Sequence, residues 1–274
     1  MSLIHIIVIG RAARFSPHSV EKDAAILAEV CQQLSGQNRR VEFFDESHLD
    51  VLPDADVYVT MGRDERVLDL LSEKEQSGKL VVNATAGIRL CCHRSRLENQ
   101  LSAAGIPLPT AAWGNGGFWL KRGDAPVQTA ADVVFVPVRE QLEAARQHFH
   151  DRGISDVVES PHVEGDLVKF YGVAQSGFFE IFYPGDDGDY KLGHEHRNGR
   201  PSHYPFSRQQ LLEVAEKAAA TCRLTVYGGD AIVRPDGSFC IIDFNDWPSF
   251  ARCRATAAEA IARRIIQMEE CHGN

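Results

Sequence analysis

The stretch Gly228-Gly-Asp-Ala-Ile-Val-Arg-Pro-Asp-Gly-Ser-Phe-Cys-Ile-Ile-Asp-Phe-Asn-Asp-Trp-Pro248 carries most of the information about the fold. Its two apolar runs, 229–233 and 239–244, flank Pro235-Asp-Gly, whose residue types favour a tight turn. Two such runs around a turn predict an antiparallel β-hairpin.

Polar side chains lie on both strands of this predicted hairpin. Because side chains alternate along a strand, Asp243 and Asn245 project from one face and Phe244 from the other. Asp230 on the partner strand can lie opposite them, and carboxylate and amide oxygens are the ligands that Mg²⁺ prefers. We name Asp230, Asp243 and Asn245 the oxygen triad, a predicted site for one or two magnesium ions. The alternative is that Asp230 and Asp246 are surface residues beside a turn, but the apolar Cys-Ile-Ile run before Asp243 disfavours it, since burying an unpaired carboxylate is costly.

Residues 1–93 alternate short apolar runs with amphipathic segments. The predicted strands cover 5–9, 41–44, 57–60 and 80–82, and the predicted helices cover 19–34 and 65–71. Strands that alternate with helices indicate a parallel sheet with helices on its faces. We therefore expect an N-terminal α/β domain of the Rossmann-like type.

The rest of the chain is predicted to form two α+β units. The first, 94–173, has helices at 95–104 and 140–150, with strands at 118–121, 133–136, 157–160 and 167–173. The second, 174–274, has a hairpin and long loop over 177–205, a helix from Ser207, the hairpin above and a closing helix at 255–268. The predicted fold class is thus α/β and α+β.

Composition and motifs restrict the function classes. The formal net charge is −9 and the cationic residues are scattered, so we expect no nucleic-acid partner. The N-terminal apolar run is too short to span a bilayer and resembles no signal peptide, which predicts a cytoplasmic protein without a membrane partner. Neither a Gly-x-Gly-x-x-Gly fingerprint nor a P-loop motif occurs, so any nucleotide must be held by another device.

The order of several motifs resembles the ATP-grasp superfamily over roughly the whole chain. The motifs are Lys121 in Phe-Trp-Leu-Lys, Glu159 in Val-Val-Glu-Ser, the segment 165–169 ending in Lys169, and then the oxygen triad. Arg94 and the Gly-Ile-Pro-Leu-Pro-Thr sequence at 105–110 lie where these enzymes have a basic residue and the entry to the ATP-binding subdomain. The Gly-Ile-Pro entry is similar to RimK-type glutamate ligases, whereas Asp-x-Asn followed by aromatic-Pro is similar to inositol trisphosphate 5/6-kinases.

The resemblance implies an ATP-grasp fold that uses ATP with Mg²⁺, or Mn²⁺ in its place. It implies that Arg94 and Lys121 contact the ATP phosphates and that Glu159 accepts hydrogen bonds from the ribose hydroxyls. Lys169 would point toward the phosphates or the second substrate, as a catalytic cation. The alternative for Lys121 and Lys169 is a solvated position at a strand edge, which is the more common fate of lysine.

A polar segment from His194 to His203 carries several groups that could recognise an acidic or phosphorylated substrate. We expect Arg197 to contact the substrate or a phosphate. Two alternatives stay open: His194 and His196 could bind a metal, or the segment could be a solvated loop.

The resemblance implies a ligase that joins a carboxylate to an amine, or to a thiol, through an acyl phosphate. The substrates would be small molecules, and enzymes of this kind are often homodimers. One alternative is a kinase of the inositol phosphate type that phosphorylates a small hydroxyl compound. The other is a nucleotide-binding sensor without catalysis, which the complete oxygen triad disfavours.

Overall fold

The computed structural model describes residues 3–36, 38–126, 129–187 and 197–272. Three sheets organise this part of the chain, two with four strands and one with three. The first sheet is entirely parallel, whereas the strands of the other two pair antiparallel. The mixed α/β and α+β class expected from the sequence is confirmed.

The N-terminal sheet has the order β2-β1-β3-β4 and is covered by helices. Its strands are β1 (Ile4–Gly10), β2 (Arg39–Asp45), β3 (Val57–Thr60) and β4 (Leu80–Val82), and its helices are α1 (Val20–Leu34), α2 (Glu65–Gln76) and α3 (Thr85–Cys92). All four residues of β3 are buried, as expected for a parallel strand covered on both faces. The sequence analysis did not predict α3, which is short and runs almost directly into the next helix.

The middle sheet has the order β6-β5-β7 and one covering helix. Its elements are β5 (Gly114–Arg122), β6 (Val133–Val136), α5 (Leu142–Asp151) and β7 (Val157–Val163), preceded by α4 (Arg94–Ala103). Leu142 and Phe149 on α5 pack with Leu120 of β5 in a separate small core. The other face of this sheet is therefore left to form a cleft.

The third sheet has the order β11-β10-β8-β9. Its strands are β8 (Asp166–Val173), β9 (Phe178–Phe182), β10 (Val226–Val233) and β11 (Phe239–Asp246), and the remaining helices are α6 (Pro184–Asp187), α7 (Arg208–Cys222) and α8 (Arg254–His272). The sequence-based division ended the middle unit at 173, but β8 belongs to the third sheet. The chain changes sheets at Gly165, whose φ of +155 favours glycine.

The end of the third sheet is packed against the N-terminal domain. Trp247 and Phe250, which follow β11, are fully buried in one core with Val8 of β1 and Ile261 of α8. This shared core fixes the position of β11 relative to the carboxyl ends of β1 and β3. Within the described residues, no helix is both long enough and apolar enough to cross a membrane.

Candidate functional site

Four predicted site residues lie together on one face of the third sheet. Lys169 on β8 pairs in register with Asp230 on β10, and Asp230 pairs with Asp243 on β11. Asn245 follows Asp243 by two positions and pairs with Gly228, so it faces the same way. The hairpin thus brings the oxygen triad together, with Lys169 beside it.

Each carboxylate of the triad is paired with a cation. Lys169 Nζ lies 3.1 Å from Asp230 Oδ2, and Arg94 Nη1 donates to Asp243 Oδ1 at 2.8 Å. Asn245 Nδ2 donates to the other Asp243 oxygen at 2.8 Å. Arg94 comes from α4, so the site joins a helix of one segment to strands of another.

The charges around Asp243 determine its protonation state. Burial alone would raise its pKa, but Arg94 and Lys121 outweigh burial and lower the pKa to about 2. Asp243 is therefore an anion at neutral pH, as a metal ligand must be.

Lys121 lies at the same end of the site as Arg94. Its Nζ donates to the carbonyl oxygen of Ile242 at 3.1 Å, and burial together with Arg94 lowers its pKa. Burial raises the pKa of the nearby Glu98. Arg94 and Lys121 are thus held close together where they are partly shielded from water. This arrangement suits the binding of a polyanion.

A cleft between the middle and third sheets connects these charges to an apolar compartment. The polar end is formed by Arg94, Lys121, Asp230 and Asp243. Apolar side chains cover most of the remaining wall: Pro109, Trp119, Val133, Pro161, Val163, Leu167, Ile232 and Ile242. A cleft that is charged at one end and apolar at the other matches the chemistry of a nucleotide, with a phosphate chain and a planar base.

Trp119 and His162 form a hydrogen-bonded pair at the apolar end. The indole Nε1 of Trp119 donates to His162 Nδ1 at 3.1 Å, and Phe135 packs edge-on against both rings. Burial lowers the pKa of His162. A neutral imidazole is the form that accepts this hydrogen bond, so the pair is preorganised at neutral pH.

Arg197 lies at this apolar end and not beside the oxygen triad. Its guanidinium stacks on Phe135, 3.4 Å from the ring centroid, and it lines a smaller polar cavity that shares His162 and Asn198 with the main cleft. Asp166 lines the same cavity, and its carboxylate accepts backbone hydrogen bonds from residues 202 and 204. The expected metal alternative at His194 and His196 lies outside the described residues.

Glu159 does not line the cleft. Its strand partner is Leu120, which faces α5, and its carboxylate pairs with Arg146 of α5. The next residue, Ser160, pairs with Trp119 and does line the cleft. Strand alternation therefore directs Glu159 away from the position expected of a ribose contact.

Sequence reasoning missed Trp119, His162 and Asn198. Trp119 could have been found, because it precedes Lys121 by two positions and must share its face of β5. His162 follows Ser160 by two positions on β7 and so shares its face, whereas Asn198 reaches the cleft from a distant segment that no local pattern marks.

The oxygen triad fits a hard divalent cation by the chemistry of its donors. It offers two carboxylates and one amide oxygen, and the triad residues share one face of the hairpin. Within the described ranges, no group of three or more His, Cys, Asp and Glu side chains is placed to hold a metal. A metal here would therefore depend on Asn245 and on nonprotein oxygens such as phosphates and water.

No protein-family model and no curated protein matches the sequence. Solved structures, in contrast, match nearly the whole chain. The D-alanine–D-alanine ligase from Bacillus anthracis complexed with ATP is 12% identical, with a TM-score of 0.69 over 98% of this chain and 100% of that chain. The VanG D-Ala:D-Ser ligase from Enterococcus faecalis is 13% identical, with a TM-score of 0.67 over 98% and 100%.

A third match is a RimK domain protein, the type that the Gly-Ile-Pro sequence at 105–107 resembles. The RimK domain ATP-grasp protein from Sphaerobacter thermophilus is 16% identical, with a TM-score of 0.65 over 96% of this chain and 99% of that chain. At such low identities these matches show a common fold.

Proposed function

Because the chain has the ATP-grasp fold, we propose that it is a ligase that uses ATP and Mg²⁺ to join a small carboxylate to an amine. The observation that carries the proposal is that Asp230 and Asp243 of the oxygen triad lie with Arg94 and Lys121 in one cleft that also has an apolar compartment. Each part has a role in phosphoryl transfer to a carboxylate.

The apolar compartment is the proposed base site. Trp119, Val133 and Ile242 provide flat and aliphatic surfaces on which a purine can pack. At the charged end, Arg94 and Lys121 would bind the phosphate chain, the first by directed hydrogen bonds and the second as a point charge.

The oxygen triad is the proposed metal site. Asp230, Asp243 and Asn245 would hold Mg²⁺, and the ion would offset the negative charge of the phosphates during transfer. The residues of the chain then act by position and charge, because phosphoryl transfer needs little covalent participation from the protein.

The proposed reaction has two steps. A carboxylate oxygen of the first substrate attacks the γ-phosphorus, its bond to the β-phosphate oxygen breaks, and ADP leaves an acyl phosphate behind. The amine nitrogen of the second substrate then attacks the acyl carbon, inorganic phosphate departs with its C–O bond electrons, and the amine proton passes to solvent. Lys169, which lies beside Asp230 on the same face, would neutralise the transferring group.

Calorimetry with Mg·ATP and an ADP-release assay test this proposal. The substrate panel contains D-alanine, which is named in the matched ligases, together with other amino acids, simple carboxylates and polyols. We expect Mg-dependent ATP binding that Asp243→Asn and Lys121→Ala both weaken strongly. Asp236→Asn, in the turn of the same hairpin, is the matched control and should bind as the wild type does.

The products separate the three function classes. A ligase releases ADP and free phosphate only when carboxylate and amine are both present. A γ-phosphate that appears on a polyol would instead identify a kinase, and ATP binding without turnover on the whole panel would identify a sensor. Absence of ATP binding by the wild-type protein would refute all three.

A further inference from the structure

The two carboxylates of the oxygen triad and two candidate phosphate-binding cations are already paired with one another. Lys169 holds Asp230 at 3.1 Å and Arg94 holds Asp243 at 2.8 Å. We propose that Lys169 and Arg94 are resident counter-ions that exchange partners when metal and nucleotide bind together. This inference rests on the proposed function and concerns how the same site is loaded.

Neither ion pair is a freely solvated surface contact. The side chains of Lys169 and Asp230 are 19% and 22% exposed, and those of Arg94 and Asp243 are 18% and 27% exposed. Removing one partner from such a pair leaves a charge that water solvates poorly, which is costly. A ligand that breaks one of these pairs must therefore supply a replacement for the partner it displaces.

A divalent cation alone can replace the cationic partners of the two carboxylates, but it cannot replace the anionic partners of Lys169 and Arg94. It would satisfy Asp230 and Asp243 but would leave Lys169 and Arg94 beside an added double positive charge. Lys121, which already lies close to Arg94, increases this repulsion. We therefore expect the free metal to bind weakly.

A polyphosphate alone meets the converse difficulty. It would attract Lys169 and Arg94 but would leave the two carboxylates without these cations, next to its own negative charge. When metal and polyphosphate arrive together, the carboxylates take the metal and the cations take the phosphates. Every charge then keeps an opposite neighbour, so the two ligands bind with positive coupling.

Asn245 takes part in the same rearrangement. In the structure its amide nitrogen donates to Asp243 Oδ2 at 2.8 Å, so this contact occupies one carboxylate oxygen of Asp243. To bind a metal, Asn245 would have to turn its amide oxygen toward the ion. The exchange thus changes the partners of all three triad residues at once.

Partner exchange predicts an effect on free metal binding that would not be expected if Lys169 only contacted a phosphate. Lys169→Met keeps a side chain of similar length but removes the resident cation from Asp230. We expect this variant to bind free Mn²⁺ more tightly than the wild type, by roughly fivefold or more, because less electrostatic competition remains. The same variant should bind Mn·ATP more weakly, because a phosphate partner is lost.

The test measures Mn²⁺ binding from the electron paramagnetic resonance signal of the free ion, with and without ATP. Chelation of Mn²⁺ by ATP in solution is common to all variants, so differences between variants report the protein alone. Lys217→Met, which alters an exposed lysine on α7, is the matched control and should change neither affinity. Arg94→Gln provides a second, independent test at Asp243, and thermal unfolding confirms that each variant is folded.

Opposite shifts in the affinities for free Mn²⁺ and for Mn·ATP support the exchange. An unchanged or weakened free Mn²⁺ affinity in folded Lys169→Met and Arg94→Gln overturns it, even if the wild type binds Mn·ATP and turns it over. A wild type that does not bind Mn·ATP at all refutes the proposed function itself. The two failures are therefore distinguished by the wild-type measurement.

Discussion

Arg63 forms a bidentate ion pair with Asp246 through two nitrogens of its guanidinium. Nε donates to Asp246 Oδ2 at 3.2 Å and Nη2 donates to Oδ1, while the Asp246 side chain is only 1% exposed. Asp246 directly follows Asn245, so this pair ties the loop after β3 to the end of the strand that carries the oxygen triad. Arg11 reinforces the junction by donating to the carbonyl oxygen of Trp247 at 3.1 Å.

A buried glutamate, Glu46, binds the two loops of the N-terminal domain that take part in this junction. The carboxylate of Glu46 accepts backbone hydrogen bonds from Ala12, Arg63 and Asp64, at 2.5, 2.6 and 2.8 Å. These residues belong to the loops after β1 and β3, which carry Arg11 and Arg63. The N-terminal domain therefore fixes the end of β11 through a preformed set of charges.

Replacing Arg63 by methionine should destabilise the protein strongly. The change removes the two-nitrogen contact from the buried Asp246 carboxylate and leaves Arg11, 3.5 Å from Oδ2, as a remaining cation, so the loss of unfolding free energy lies toward the lower end of the range of about 3–5 kcal/mol for a fully broken buried pair. Urea unfolding measures the change. Arg66→Met is the matched control, because Arg66 pairs with the exposed Asp50 and such surface pairs contribute about 0–1 kcal/mol. Equal losses of unfolding free energy in the two variants would show that the buried Arg63–Asp246 pair stabilises the protein no more than a surface pair does.

Tyr171→Phe should impair the proposed ligase activity without unfolding the protein. Tyr171 follows Lys169 by two residues on β8, shares its face, and pairs in register with Gly228, which has no side chain. Burial raises its pKa to about 12, so the phenol is a neutral hydrogen-bond donor at neutral pH. Phe250 and Phe182, with ring centroids 5.4 and 5.5 Å from that of Tyr171, keep the ring in place when the hydroxyl is removed.

We predict that this hydroxyl donates to an anionic oxygen of the substrate beside Lys169. Its loss should lower the rate of ADP release about tenfold, while the unfolding free energy changes by less than about 1.5 kcal/mol. Tyr227→Phe is the control on the opposite face of the sheet, where the Tyr227 hydroxyl donates to Glu216 at 3.2 Å. If Tyr171→Phe retains full activity, the substrate does not use this hydroxyl.

Acidification should weaken the pairing of Trp119 and His162. Burial is the largest influence on the His162 pKa and lowers it, with Arg197 acting in the same direction and Glu164 opposing. The pKa in the folded state therefore lies below the value of about 6.5 in the unfolded chain. The contribution to stability is complete above the unfolded pKa and is lost as the pH falls through that value toward the folded one.

Unfolding free energies measured between about pH 5 and pH 8 test this sign, since the affected window lies below the ordinary histidine pKa. The wild type should lose stability on acidification more steeply than His162→Phe, which cannot take up this proton. His148→Phe, on the exposed side of α5, should retain the wild-type slope. Parallel curves for the wild type and His162→Phe would contradict the prediction.

The sequence predicted those parts of the site that depend on local alternation. Asp243 and Asn245 share a face because they are two positions apart, and the turn at Pro235-Asp-Gly brings Asp230 opposite them. Glu159 was placed by its motif alone, and its pairing with Leu120 turns it toward α5. An expectation based on motif order is thus less reliable than one based on strand register.

Long-range pairs could not be predicted in this way. Arg63 and Asp246 are 183 residues apart, and each is of a type usually found at the surface. Only the packing of Trp247 into the N-terminal core brings them together and removes them from water. The contact between His162 and Trp119 depends in the same way on the pairing of β7 with its neighbour β5, which joins segments 43 residues apart in the chain.

Gly87→Ala should couple a packing defect to the proposed nucleotide site. A Cβ at Gly87 on α3 would lie 2.3 Å from the backbone oxygen of Cys222 and 2.9 Å from Leu224 Cδ2, so the end of α7 leaves no room for it. Relief requires α3 to move, at a cost of about 1–3 kcal/mol. Because α3 leads through one residue into Arg94, that movement should also draw the guanidinium away from Asp243 and weaken ATP binding.

Gly36→Ala is the matched control, because a Cβ there meets no atom within 4 Å. Its unfolding free energy should change by less than about 1 kcal/mol, and its ATP affinity should equal that of the wild type. Urea unfolding and calorimetry with Mg·ATP measure the two properties for each variant. A Gly87→Ala protein that loses stability but keeps full ATP affinity would show that Arg94 is positioned by α4 and its own ion pair, independently of α3.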